Sequence, residues 1–226
     1  MFSREIRLIG DKAFEKLSNS KVAIVGVGGV GGYIVETLAR AGIGNIILVD
    51  GDKIELSNIN RQLIATTKTV GQAKVDAWKE RVNDINPNCK VETFNQFYTA
   101  ENPVDFDGVD IIVDAIDSRK DKIALITNAK AKNIDIISAM GAGSRIEGCD
   151  FQIVDIYKTS NDGLAKKLRK ELRTLGIKNL PVCCTTSQSI KQEGTVGSMS
   201  YVPALSGVKI ASWVVNKIIK GEDDNG

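Results

Sequence analysis

The chain has 226 residues, a formal net charge of +2 and a hydrophobic fraction of 42%; this suits one α/β domain, or one domain with an appended lobe, and excludes a disordered chain. With charge so near balance, no global field selects nucleic acid, DNA binding is not expected, and any RNA contact has to come from local charge. There is no histidine, which excludes Ser/His/Asp and Cys/His nucleophile systems and metal sites that need imidazole.

The elements follow one another as an α/β chain. Residues 11–18 read as a short helix with Ala13, Phe14 and Leu17 on one face. Residues 21–26 (KVAIVG) are a buried strand, 30–40 a helix with Gly42 placed for a left-handed cap, and 45–50 (NIILVD) the next strand. A helix over 72–85 stops at Asn86-Pro87, and 90–94 alternates as a strand. Residues 109–115 are a strand, 120–132 a helix and 135–139 a strand. This alternation predicts a Rossmann-like doubly wound, mainly parallel sheet with helices on both faces.

After Met140 the pattern changes, so 1–140 read as a nucleotide-binding core and 141–220 as an extension facing the substrate, within one domain over 1–220. Residues 151–156 alternate as a strand. Asp162 caps a helix with Leu164, Leu168, Leu172 and Leu175 on one face and Gly176 at its end. A strand over 180–185, a mobile loop over 188–200 and a final helix within 201–220 follow, and 221–226 read as a disordered tail.

The cysteines, Cys89, Cys149, Cys183 and Cys184, form no C-x-x-C pair, so no zinc is expected and they read as small buried residues of a reducing compartment. Met1 to Gly10 lacks the apolar core of a signal peptide, and the apolar stretch 208–219, broken by Lys209, Asn216 and Lys217, is too short to span a bilayer. A cytoplasmic protein without a membrane span is the expectation.

The first strand runs directly into Gly26-Val27-Gly28-Gly29-Val30-Gly31, a G-x-G-x-x-G turn with Gly29 inside it, opening a helix. Such a turn lets backbone approach phosphate oxygens, and the helix N-terminus favours the anion. Asp50, ending the second strand, is placed for ribose hydroxyls. The motif alone leaves the nucleotide open, and a nicotinamide dehydrogenase is the default. The following residues argue otherwise: Asp50-Gly51-Asp52, then Leu56-Ser57-Asn58-Ile59-Asn60-Arg61-Gln62, then Gly71-Gln72-Ala73-Lys74, then Asp114-Ala115-Ile116-Asp117. This ordered set resembles the E1-like activating superfamily, which includes the adenylating enzymes of molybdopterin and thiamine biosynthesis and ubiquitin-type activating enzymes.

The resemblance implies ATP-dependent acyl-adenylate formation. A carboxylate attacks the α-phosphorus and pyrophosphate leaves; the nucleophile is already ionised, so no histidine base is needed. Asn58, Arg61, Gln62 and Lys74 would supply donors and positive charge to the phosphates, with Arg61, Lys74, Asp117 and Arg4 in catalytic roles. Asp117 would hold Mg²⁺ through ATP, Asp50 would take the ribose, and Asp52 would orient Arg61 or the metal. Arg4 matches an N-terminal arginine that in the family reaches a neighbour's ATP, which implies a homodimer. Taken singly, Arg61 and Lys74 read as solvated surface charges and Asp117 as a helix cap.

The second half narrows the resemblance. Gly141-Ala142-Gly143-Ser144-Arg145-Ile146, the run Gln152 to Ser160, Asp162-Gly163-Leu164-Ala165, Leu168-Arg169, Gly194-Thr195 and Ser200 to Ala204 resemble the tRNA threonylcarbamoyladenosine dehydratases, with Gly163 where that family commonly has proline. The implied substrate is tRNA carrying threonylcarbamoyladenosine, cyclised with loss of water. Lys158, Lys166, Lys167, Arg169, Lys170 and Arg173 would hold tRNA phosphates; alone they read equally as a solvated helix face. The family also implies a possible sulfur-acceptor and cysteine desulfurase system as partner. Other readings stay open: activation of a ubiquitin-like or sulfur-carrier protein at its C-terminal glycine, with Cys183 or Cys184 available for a thioester, or a nucleotide-sensing module without turnover.

Overall fold

The computed structural model describes residues 1–146, 150–190, 193–194 and 196–221. Cys149, Thr195 and the tail from residue 222 lie outside the described residues. Two short helices, α1 (Ser3–Ile9) and α2 (Asp11–Asn19), lead into β1 (Lys21–Val25), α3 (Gly29–Arg40), β2 (Asn45–Val49), α4 (Lys74–Ile85) and β3 (Lys90–Phe94). Then come β4 (Ile111–Asp114), α5 (Arg119–Ala131), β5 (Asp135–Ala139), β6 (Gln152–Asp155), α6 (Gly163–Thr174), β7 (Pro181–Cys184) and α7 (Tyr201–Lys220).

The seven strands form one sheet in the order β3-β2-β1-β4-β5-β7-β6. All neighbours are parallel except β6 and β7, which run antiparallel. The β-branched runs are buried on both faces, as parallel strands under crossover helices must be. In β1, Val22 and Ile24 face a core shared with Ile34 and Leu38 of α3, Trp78 of α4 and Val214 of α7. Ala23 and Val25 face the other core, with Leu125 of α5 and Leu168 and Leu172 of α6.

The ends of the helices follow local chemistry. At the end of α3, the Gly42 N–H donates to the Ala39 carbonyl and the Ile43 N–H to that of Leu38, with Gly42 at φ 85°. This Schellman pattern satisfies carbonyls that the helix leaves unpaired. Helix α4 starts at Lys74 and not at residue 72, because Ala73 is extended and bridges Lys53. The Lys74 N–H is thereby donated to the Asp52 carbonyl at 3.0 Å.

Two expectations need correction. The inward face of α6 is Ala165, Leu168 and Leu172, with Leu164 half-buried, while Leu175 follows the last helical turn and is 51% exposed. The final helix runs 20 residues and is long and apolar enough to cross a membrane by length and composition. Its buried face (Val202, Ser206, Gly207, Ile210, Val214) packs on α3 and α2, so its apolar character is accounted for by the core.

Candidate active site

The chain passes outward from β1 to β2 and β3, then crosses back to β4, so the carboxyl ends of β1 and β4 mark the point where the winding reverses. Open α/β sheets bind ligands in that crevice. A cavity of about 530 Å³ lies there, within the usual range of ligand sites of roughly 300–1,000 Å³. It is lined by the glycine turn, Asp50, Asp52, Asn58, Arg61, Gln62, Lys74, Ala115 to Ser118 and Met140 to Gly143.

The glycine turn has no room for side chains at its closest approaches. Gly26 has φ 88°, and a Cβ there would meet the Ala115 carbonyl oxygen at 2.7 Å. A Cβ on Gly31 would sit 1.8 Å from the Gly26 carbonyl oxygen. Gly28 has no such conflict, its nearest neighbour being the Gln62 amide at 3.6 Å, so backbone there is open to the cavity.

Asp50 is buried and fixes this turn: its Oδ2 accepts the Val27 N–H at 2.8 Å and its Oδ1 that of Asp52 at 2.9 Å. Burial raises its carboxyl above the usual carboxylate range, against the pull of Lys74 and the two N–H donors. Two of its lone-pair positions remain for a ligand hydroxyl. Lys74, 5% exposed, donates from Nζ to Asp52 Oδ2 at 2.6 Å and lies 4.0 Å from Asp50 Oδ1. Asp52 therefore orients Lys74 and not Arg61. The Arg61 guanidinium instead donates to the Ser57 carbonyl at 2.7 Å and to Asn60 Oδ1 at 3.0 Å, with no carboxylate partner among the described residues.

Asn58 and Gln62 differ in how much they offer a ligand. Asn58 Oδ1 accepts the Glu55 N–H at 3.1 Å while the Glu55 side chain accepts the Asn58 N–H, closing a capping box on the short turn Leu56–Asn58, and Asn58 Nδ2 donates to Ser57 Oγ. Gln62 is buried beside the glycine turn, and its Oε1 has no partner among the described residues. A buried amide oxygen left unpaired costs free energy, about 1–3 kcal/mol, unless a bound group satisfies it.

Asp117 lines the cavity and does not cap α5, whose N-cap is Ser118. The turn that carries it is held from below. Asp114 and Lys122 are both fully buried and pair at 2.8 Å; Lys122 also donates to the Ala139 carbonyl at 3.1 Å, and Asp114 accepts the Ile116 N–H at 3.1 Å. This pair joins the ends of β4 and β5 to the first turn of α5. It was missed in the sequence, where the only signal was the first aspartate of D-A-x-D. A second pair organises the loop after β5; the sequence shows its Asp162 as the cap of α6 but not the partnership with Arg145. The Arg145 guanidinium donates to the Gly141 and Gly143 carbonyls, while Asp162 accepts the Gly141 N–H and caps α6 through Ala165. Val196 and Ser198, from the segment read as a mobile loop, also line the cavity.

Several sequence-predicted residues lie elsewhere. Arg4 is exposed on α1 and does not line the cavity of its own chain. Lys158, Lys166, Lys167, Lys170 and Arg173 are exposed on and beside α6, and the Arg173 guanidinium sits 5.1 Å from the Tyr157 ring centroid. Arg169 turns inward and donates to the carbonyl and hydroxyl of Thr159. Cys183 and Cys184 are buried in β7, as the apolar run around them predicts. Burial pushes the Cys183 thiol up to about 12 and raises that of Cys184. Cys89 is likewise pushed up to about 11. Thiolates are the nucleophiles of thioester chemistry, so neither Cys183 nor Cys184 suits that role. These three thiols should resist a thiol reagent at pH 8 in the folded protein and react at once in denaturant; rapid labelling of Cys183 in the native state would contradict this.

Residues 2–225 match the model of the ThiF family. The chain belongs to the ThiF family. The Bacillus subtilis tRNA threonylcarbamoyladenosine dehydratase is 47% identical over 179 residues, 78% of this chain and 70% of that protein. Two crystal structures of the Escherichia coli tRNA N6-threonylcarbamoyladenosine dehydratase superpose on this ThiF-family chain at 33% identity. The complex with ATP has a TM-score of 0.93, covering 100% of this chain and 96% of the other. The complex with AMP has a TM-score of 0.92, covering 97% and 94%. The doubly wound ThiF fold is thus the one the alternation of elements predicted.

Proposed function

We propose that this chain is an ATP-dependent tRNA threonylcarbamoyladenosine dehydratase, one adenylation domain over residues 1–220. The observation that carries it is the buried Lys74, held by Asp52 in the wall of the same cavity as the glycine turn, Arg61 and Asp117, in a chain so close to enzymes of that name.

In this reading ATP lies with its phosphates on the turn at 26–31 and its ribose against Asp50. The threonyl carboxylate of the modified adenosine forms a bond to the α-phosphorus, and the bond to the β-phosphate oxygen breaks, releasing pyrophosphate. A nitrogen of the same modified group then bonds to the activated carbonyl carbon, the bond to AMP breaks, and a proton leaves the nitrogen. The ring has lost the elements of water, which ATP cleavage has taken up. Lys74 and Arg61 bear the charge that accumulates as three anionic groups come into line. Asp52 holds Lys74 in position, and Gln62 offers its amide to the nucleotide. Bound Mg²⁺ would neutralise phosphate charge; Asp117 and Asp121 both line the cavity, and Asp117 would hold the ion, with the phosphates supplying other ligands. The reaction belongs in the cytoplasm, with tRNA and ATP.

A homodimer completes this site. Tyr201, Leu205 and Val208 form an exposed stripe on α7, of the kind a second copy would cover, and Arg4 would reach the neighbour's cavity. Mixing an Arg4→Ala protomer with a Lys74→Met protomer, each nearly inactive alone, should restore up to about a quarter of the wild-type rate by random pairing of subunits. Activity no greater than the sum of the two would contradict a shared site.

The function is tested by pyrophosphate release. Release stimulated by tRNA carrying threonylcarbamoyladenosine, and not by tRNA lacking it, is expected. Stimulation by a ubiquitin-like or sulfur-carrier protein alone would assign the chain to that class instead.

A further inference from the structure

We propose that the cleft between α5 and α6 is a second RNA subsite, taking a nucleotide that flanks the modified adenosine; this rests on the tRNA reading above. The cleft holds about 410 Å³ and is lined by Arg119, Lys167, Lys170, Glu171, Thr174 and Leu175. Arg119 follows directly on Asp117 and Ser118, which line the nucleotide cavity, so the start of α5 contributes to both hollows.

Its chemistry is that of a nucleotide site. Residues 167, 170, 171 and 174 fall on one strip of α6, at helical spacings of three and four. Glu171 pairs with Arg119 and fixes that guanidinium at the edge. Lys167 and Lys170 have no ion-pair partner among the described residues. Leu175, just past the end of α6, lies half exposed in the cleft. An apolar floor with a cationic rim accepts the face of a base while the rim holds the flanking phosphates. Of the six basic residues predicted to touch tRNA, Arg169 is bound to Thr159 and Arg173 covers Tyr157. Lys167 and Lys170 are the two that converge with Arg119 on one hollow.

The test compares Lys167→Ala/Lys170→Ala and Leu175→Ser with wild type on tRNA carrying the modification. All three side chains are exposed, and thermal melts should be unchanged. The lysine pair should raise KM for tRNA about tenfold, leave KM for ATP unchanged, and shallow the salt dependence of tRNA binding by roughly two phosphate contacts. Leu175→Ser should raise KM for tRNA without changing that salt dependence. Wild-type KM for tRNA in both variants overturns the subsite while leaving the activity intact. Wild-type protein that does not turn over modified tRNA overturns both.

Discussion

Replacing Lys74 with methionine lowers kcat by on the order of 10²–10³-fold, the loss typical when one preorganised donor to developing charge is removed. Methionine keeps most of the stem that packs in the buried position, so the change is chiefly one of charge. The partner left behind, Asp52, has a side chain 52% exposed and is solvated without difficulty. Asp50 loses an attractive neighbour but keeps its two N–H donors. Thermal stability should therefore change little while turnover collapses. Arginine is no substitute, because its planar fork does not fit a buried point-charge site. A variant that melts like wild type and also turns over like wild type would remove Lys74 from the chemistry.

The largest effect on stability is expected at Lys122. Lys122→Ala leaves the Asp114 carboxylate buried without its cation, which costs about 3–5 kcal/mol. For a domain of this size that lowers Tm by on the order of 10 °C. The double variant Asp114→Asn/Lys122→Met should recover most of the loss, since asparagine can still accept the Ile116 N–H and no lone charge remains. If the single variant melts within a degree or two of wild type, the pair does not hold the turn under Asp117.

The sheet was readable because its strands are short runs of β-branched residues separated by helices, and because Gly26, Gly28 and Gly31 occur where one strand meets one helix. The glycine spacing placed the turn that lines the cavity, and the ordered polar set placed the cavity wall from Asp50 to Lys74. What stayed hidden depends on contacts between distant segments. Asp52 reaches Lys74 across 22 residues through the bridge of Lys53 with Ala73; nothing in the spacing favoured that partner over Arg61. Lys122 looks like any solvated helix lysine until β4 and β5 close over it. Arg169 carries the same formal charge as Lys170, and only the fold turns one toward Thr159 and leaves the other at the cleft. Leu175 continues the helical period, but α6 ends before it.

Mass spectrometry of nucleosides from tRNA carrying threonylcarbamoyladenosine, after incubation with this chain and ATP, tests the central claim most directly. The modified adenosine should lose the mass of one water, with one AMP formed for each ring closed and no change when ATP is omitted. An unchanged nucleoside beside intact ATP would contradict the account.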